Sequence, residues 1–291
     1  MKYKGRNTGI MIKFTDVTKR YGSIAAIDHL SLEIADSGIY CLLGRNGAGK
    51  TTLMKLLAGH IAASGGEISV DGKPVSPGHM PENVNFIENG SVQFNKRISE
   101  LIDIAAELQE DFDRGFAYEM MKRFDLNPNK KFKQLSFGMR TMLNTIITLS
   151  NNSGAILLDE PTLGFDAIMR DQFNNLLLES YQAIPRVIMV STHLIDEIEK
   201  VTERLIIIDQ GRLLFEAGID EIDEKAYTLS GTTAAVLPLL GGLNCIGQTM
   251  VGSLVAAHIY GERIAPPEGV SIDRMSLQDF FIYLVGGKSH E

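Results

Sequence analysis

The sequence predicts an α/β fold: a parallel sheet covered on both faces, with a helical insertion and a small α+β appendage at the end. Three observations predict it. Short apolar runs at Gly38–Leu43, Ala155–Leu158, Val187–Val190 and Leu205–Ile208 read as strands buried on both faces, the mark of a parallel sheet. Segments with helical spacing separate them, as crossover connections require. From about Ser91 to Asn152 the pattern is helical throughout, and beyond about Glu221 it changes again.

Taken in order, Ile12, Phe14 and Val17 with Ser31–Ile34 read as paired strands, and Gly38–Leu43 as the first buried strand. Thr51–Gly59 reads as a helix with Leu53, Met54, Leu56 and Leu57 turned inward. Glu67–Lys73 alternates and turns at Asp71-Gly72, a hairpin signal. In the helical block, Leu101, Ile104, Ala105 and Leu108 are expected on one inward face. Met139, Met142, Leu143, Ile146 and Ile147 are expected on another. Asp171–Leu178 is helical, and a turn at Gln210-Gly211 leads into a strand over Arg212–Phe215. In the appendage, Tyr227–Leu229 and Gln248–Tyr260 read as strands and Leu277–Leu284 as a helix.

Composition narrows the class. The 291 residues carry a net charge of −8 with no block of like charges, which argues against a nucleic-acid partner. Two distant cysteines, Cys41 and Cys245, make no disulfide framework and suit a reducing compartment. Met1–Gly9 is polar, so no signal peptide is read there. The most apolar long stretch, Ala234–Tyr260, is broken by Pro238, Asn244, Gln248 and glycines. It reads as a core helix followed by a strand rather than as a membrane span of about 20 apolar residues.

One segment carries chemistry on its own. Gly44, Arg45, Asn46, Gly47, Ala48, Gly49, Lys50 and Thr51 fit the pattern of Gly, four residues, then Gly-Lys-Ser/Thr. A phosphate chain needs many N–H donors aimed at one point, and only a glycine-rich turn folds tightly enough to supply them. The following helix adds the positive end of its dipole. Lys50 supplies a full charge, and the Thr51 hydroxyl can ligate Mg²⁺.

A second apolar strand ends in Asp159 and Glu160. Beside a phosphate loop, Asp159 fits the acid that organises the metal, and Glu160 the base that polarises a water. Val187–Val190 leads into Ser191-Thr192-His193. A histidine at a strand tip can bond a terminal phosphate or hold the base in place.

The order of these motifs resembles the ABC ATPase family over about Ile12 to Gly218. Tyr21 matches the family's adenine-stacking aromatic residue, Gly44 to Thr52 its Walker A, and Leu157 to Glu160 its Walker B with the catalytic glutamate. Asp166 matches the D-loop aspartate and His193 the switch histidine. The signature Leu-Ser-Gly-Gly-Gln is loosened to Leu135-Ser136-Phe137-Gly138-Met139. Ser136 and Gly138 match, and they stand where a helix begins. The Q-loop glutamine is replaced, with Glu88 as its occupant and Gln93 as a weaker candidate, so Glu88 joins Thr51 and Asp159 as an implied Mg²⁺ residue.

The resemblance implies a P-loop NTPase core with an N-terminal antiparallel β subdomain, an inserted α-helical subdomain (about 91–152) and a C-terminal α+β appendage. The boundaries are 10–220 for the ATPase domain and 221–291 for the appendage. It implies hydrolysis of ATP with Mg²⁺. It implies a homodimer or heterodimer in which Ser136 and Gly138 complete the partner's ATP site. A separate transmembrane permease follows, with this chain on the cytoplasmic face of the membrane. The narrower likeness is to single-domain ATPases of Gram-positive peptide, antibiotic or toxin exporters. A non-transport soluble ABC ATPase and an ATP-binding regulatory half of a heterodimer remain the alternatives.

Overall fold

The computed structural model describes residues 9–88, 94–109 and 111–286; Gln93 lies outside them. The N-terminal strands β1 (Ile12–Tyr21) and β2 (Ile24–Ile34) pair antiparallel with Ile12 opposite Ile34. Next come β3 (Gly38–Leu43), α1 (Lys50–Leu57), β4 (Gly65–Val70), β5 (Lys73–Pro74) and β6 (Val84–Glu88). The turn between β4 and β5 has φ 52° at Asp71 and 74° at Gly72, the left-handed pair that a tight hairpin needs. These antiparallel strands form one sheet in the order β2-β1-β4-β5.

The helical insertion holds α2 (Ile98–Leu108), α3 (Arg114–Arg123) and α4 (Phe137–Leu149). The chain then returns through β7 (Ala155–Asp159), α5 (Ala167–Ala183), β8 (Val187–Thr192), β9 (Arg204–Asp209) and β10 (Arg212–Gly218). The central sheet runs β10-β9-β3-β8-β7-β6, parallel except for β10. Its register aligns Leu43 with Thr192, Ser191 with Asp159, and Asp159 with Glu88. The carboxyl ends of β3, β8, β7 and β6 therefore stand in one row, where open α/β sheets hold their ligands.

β3 shows why its sequence is apolar throughout. Ile39, Cys41 and Leu43 enter a core shared with the helical insertion, while Tyr40 and Leu42 enter a second core under α1 and the N-terminal sheet. Leu53, Met54, Leu56 and Leu57 of α1 are buried in that second core, as their spacing predicts.

The α2 face differs from expectation. Ile98, Leu101 and Ile102 are buried, whereas Ile104 is 37% and Leu108 79% exposed. Two apolar stripes with the same helical spacing overlap there, and the one containing Ile98, Leu101 and Ile102 is the one packed into the core. On α4 the expectation holds: Met142, Leu143 and Ile146 are buried, with Met139 and Ile147 packed against the same core.

The appendage comprises α6 (Ile219–Lys225), β11 (Ala226–Thr232), α7 (Thr233–Val236), β12 (Cys245–Val251), β13 (Leu254–Tyr260), β14 (Val270–Arg274) and α8 (Leu277–Gly286). Its antiparallel sheet runs β12-β13-β11-β14. The stretch read as one strand, Gln248–Tyr260, is part of a hairpin, because Gly252 at φ 62° reverses the chain between β12 and β13. Likewise Ala234–Tyr260 is no helix-then-strand; helix α7 is short and the hairpin follows. Among the described residues, no helix is long and apolar enough to cross a membrane.

Candidate active site

The loop 44–49 joins β3 to α1 beneath the row of strand ends. Its glycines are sterically required. A Cβ on Gly44 would stand 2.5 Å from the carbonyl oxygen of Ile208. Gly49 has φ 110°, and a Cβ there would meet the Ala26 carbonyl oxygen at 2.5 Å. Among the described residues no side chain caps the start of α1, so its first N–H groups remain for whatever the loop encloses. Lys50, only 6% exposed, donates from Nζ to the Gly44 carbonyl at 2.7 Å. A cavity of about 270 Å³ opens over the loop, lined by Ala26, residues 45–52 and Glu160.

The acids stand at the tip of β7. Asp159 is buried, and its Oδ2 accepts a hydrogen bond from Thr51 Oγ1 at 2.7 Å. Its Oδ1 accepts one from the Ser191 hydroxyl on β8. Glu160, the next residue, sits at φ 46°, a left-handed conformation uncommon for a side-chain-bearing residue. Its N–H reaches Ser191 twice, at the carbonyl oxygen (3.1 Å) and at Oγ (3.0 Å). The reversal turns its carboxylate back over the loop. Oε1 lies 3.5 Å from Lys50 Nζ, and Oε2 lies 3.0 Å from His193 Nδ1.

The fold thus gathers Lys50, Thr51, Asp159, Glu160 and His193 from three separate stretches of sequence. Although paired in register with Asp159, Glu88 gives its carboxylate to Lys55 Nζ at 2.7 Å, on α1 one turn beyond Thr51. In this structure the expected metal residue is an ion-pair partner. Tyr21 ends β1, half-exposed, with Lys19 Nζ 5.0 Å above its ring.

Ser136 caps α4, its Oγ accepting from Met139 N at 3.2 Å. Neither Ser136 nor Gly138 lines the cavity over the loop. The α4 start instead packs on the turn before α5. A Cβ on Gly138 would meet the Gly164 carbonyl oxygen at 2.7 Å, and one on Gly164 would meet the Phe137 ring at 2.5 Å. Asp166 caps α5 through a bond from Met169 N at 2.8 Å.

Two residues of this neighbourhood escaped sequence reasoning. Lys55 looks like any polar residue of an amphipathic helix. Ser191 lay in plain view beside His193, but nothing in its local pattern says which strand tip its hydroxyl meets.

Chemically, the loop offers N–H groups and a cation to a polyanion, and the acids offer hard oxygens beside it. Among the described residues, no cluster of three or more His, Cys, Asp or Glu makes a self-sufficient metal site. The Thr51–Asp159 pair nonetheless fits Mg²⁺, which binds through one or two protein oxygens together with phosphates and water.

Comparison with known proteins agrees with this geometry. A family model described as ABC transporter matches residues 27–163. The Nod factor export ATP-binding protein I of Burkholderia orbicola (strain AU 1054) is 31% identical over 220 residues, covering 70% of each chain. The bacitracin transport ATP-binding protein BcrA of Bacillus licheniformis is 28% identical over 311 residues, covering 95% of this chain and 98% of its own, appendage included. Among solved structures, an ATP-binding subunit of an ABC transporter superposes with TM-score 0.64 at 20% identity, over 73% of this chain and 91% of its own; it shares the fold.

Proposed function

This chain belongs to the ABC transporter family of ATP-binding proteins, and from that premise we propose that residues 44–51 wrap the triphosphate while Asp159 and Glu160 manage its metal and the attacking water. The activity is ATP hydrolysis that powers transport. The observation that carries the proposed site is the contact between Thr51 Oγ1 and Asp159 Oδ2 at 2.7 Å, which joins the loop to the acidic strand tip.

On this reading, the N–H groups of the loop and of the α1 start bind the β- and γ-phosphates, and Lys50 trades its carbonyl contacts for phosphate oxygens. Mg²⁺ bound with ATP supplies a Lewis acid at the outer phosphates, with Thr51 and Asp159 as its protein residues. Glu160 accepts the proton of the water that attacks the γ-phosphorus. His193 orients that carboxylate from its far side.

A second ATPase subunit, identical or not, completes the site. The start of α4 supports this: Ser136 and Gly138 line no part of the cavity over their own loop, and they stand at a helix N-terminus suited to a phosphate. Residues 10–220 form the ATPase domain and residues 221–291 an appendage, a division supported by a match to BcrA that extends over 95% of this chain. A transmembrane subunit docks on the insertion near Glu88; Ile104 and Leu108 of α2 expose apolar surface on that insertion. The relative named for Nod factor export supports a reading in which this chain powers export, working from the cytoplasmic face of the membrane.

The test is expression with the membrane protein encoded beside it, then purification through a tag on this chain. A multi-spanning protein should co-purify, and adding it should raise ATP turnover. A chain that hydrolyses ATP alone and retains no membrane protein would overturn the transporter reading and favour a soluble ATPase.

A further inference from the structure

Most buried hydroxyls in this chain satisfy themselves locally. Thr148, Ser150 and Thr202 each donate to the carbonyl four residues earlier. Ser191 is fully buried at the end of β8 and does something else. Its hydroxyl meets two successive residues of the neighbouring strand tip, and both are acids. It donates to Asp159 Oδ1 and accepts from the N–H of Glu160 at 3.0 Å. A carboxylate only accepts and an N–H only donates, so the direction of both bonds is fixed.

These bonds act on the two features the site depends on. Asp159 is held from both sides, Oδ2 by Thr51 and Oδ1 by Ser191, so its carboxylate plane has a single setting. Glu160 occupies φ 46° and needs something to keep it there. Its N–H is the natural handle, and both of that group's acceptors belong to Ser191. Two residues later on the same strand end, His193 meets the Glu160 carboxylate. The strand therefore grips Glu160 by its backbone and by its side chain together.

We propose that Ser191 is a positioning residue for hydrolysis: its hydroxyl sets the metal-side acid and the base-side acid in one frame. It lines no part of the cavity over the loop, so it acts through Asp159 and Glu160 and leaves nucleotide binding to residues 44–52. The proposal rests on the roles given above to Asp159 and Glu160.

The test compares Ser191→Ala, Ser191→Thr and Ser191→Val with wild type and Glu160→Gln in steady-state ATPase assays on the full chain. Thr and Val share one shape and differ by the hydroxyl, so that pair carries the result even if the alanine variant folds poorly. Losing a hydrogen bond to a charged group should cost kcat about 10- to 100-fold in the Ala and Val variants. KM for ATP should stay within about threefold, and Thr should restore kcat to within about threefold of wild type, since a conserved hydroxyl preserves the bond. Full kcat in Ser191→Val, or a kcat in Ser191→Thr as low as in Ser191→Val with both folded, would overturn the role of the hydroxyl. If Glu160→Gln also turned over at the wild-type rate, the assignment of the base itself would have failed, a result separate from the first.

Discussion

His193 Nδ1 lies 3.0 Å from Glu160 Oε2 and 3.1 Å from Oε1, so the imidazole faces both carboxylate oxygens across the end of β8. Lys50 Nζ approaches Oε1 from the loop side at 3.5 Å. A carboxylate gripped this way is aimed at the space over the loop before any nucleotide arrives. Glu160→Gln keeps the shape and removes the base. Turnover should fall by about two to four orders of magnitude, the range for a positioned general base, with ATP binding preserved. Single-turnover hydrolysis beside a binding titration checks this; unchanged turnover would remove Glu160 from the role.

Lys50 is almost wholly buried, and its Nζ is satisfied by the Gly44 carbonyl at 2.7 Å. Its charge nevertheless stands at the floor of the cavity, where phosphates would arrive. Lys50→Ala should weaken nucleotide affinity about 10- to 100-fold, the worth of a charge-assisted hydrogen bond. A fluorescent-ATP titration reads it directly, and equal affinity in the two proteins would contradict the placement of the phosphates.

The central sheet was legible because a parallel strand buried on both faces must be apolar along its middle, and Gly38–Leu43, Ala155–Leu158, Val187–Val190 and Leu205–Ile208 are. The loop was legible because its chemistry lies within one contiguous segment. What could not be read depends on tertiary partners. Periodicity pointed to the stripe of Leu101, Ile104, Ala105 and Leu108, and only packing against the core turns Ile98 and Ile102 inward in place of Ile104 and Leu108. The residue before Asn89 was identifiable as Glu88, but its engagement by Lys55 requires knowing that α1 and β6 are neighbours. The left-handed backbone at Glu160 has no sequence signal at all, since glycine or asparagine would be the usual marker.

Gly138 tests the joint between the signature helix and the turn before α5. Helix propensity alone says that Gly→Ala near the start of α4 should stabilise by up to about 1 kcal/mol. The structure says otherwise, because the new Cβ would stand 2.7 Å from the backbone oxygen of Gly164, which cannot swing aside as a side chain can. Overpacking of this kind costs about 1–3 kcal/mol, which exceeds the propensity gain, so Gly138→Ala should be less stable than wild type. Urea unfolding measures the sign. A stabilised variant would mean that the two segments are free to separate.

In the appendage, His258 of β13 is buried, stacked 3.6 Å from the Tyr283 ring of α8 and bonded through Nδ1 to Thr228 Oγ1 at 3.1 Å. Among the described residues its buried Nε2 has no partner, and burial holds the imidazole pKa below its ordinary value, with the Asp279 charge offsetting part of that. The folded form therefore favours the neutral ring. For a base whose folded pKa is depressed, the unfolded chain binds more protons in the window between the two values. The contribution is thus complete above the unfolded pKa of about 6.5 and is lost as pH falls from there through the lower folded value. Thermal midpoints should drop between pH 7.5 and 5.5, and the drop should shrink in His258→Phe, which keeps the stack on Tyr283 and cannot ionise. Glu199, whose pKa is raised chiefly by burial, acts with the opposite sign, but it is present in both proteins and cancels in the comparison. The same acid sensitivity in wild type and His258→Phe would show that protonation of this ring does not loosen the seat of α8.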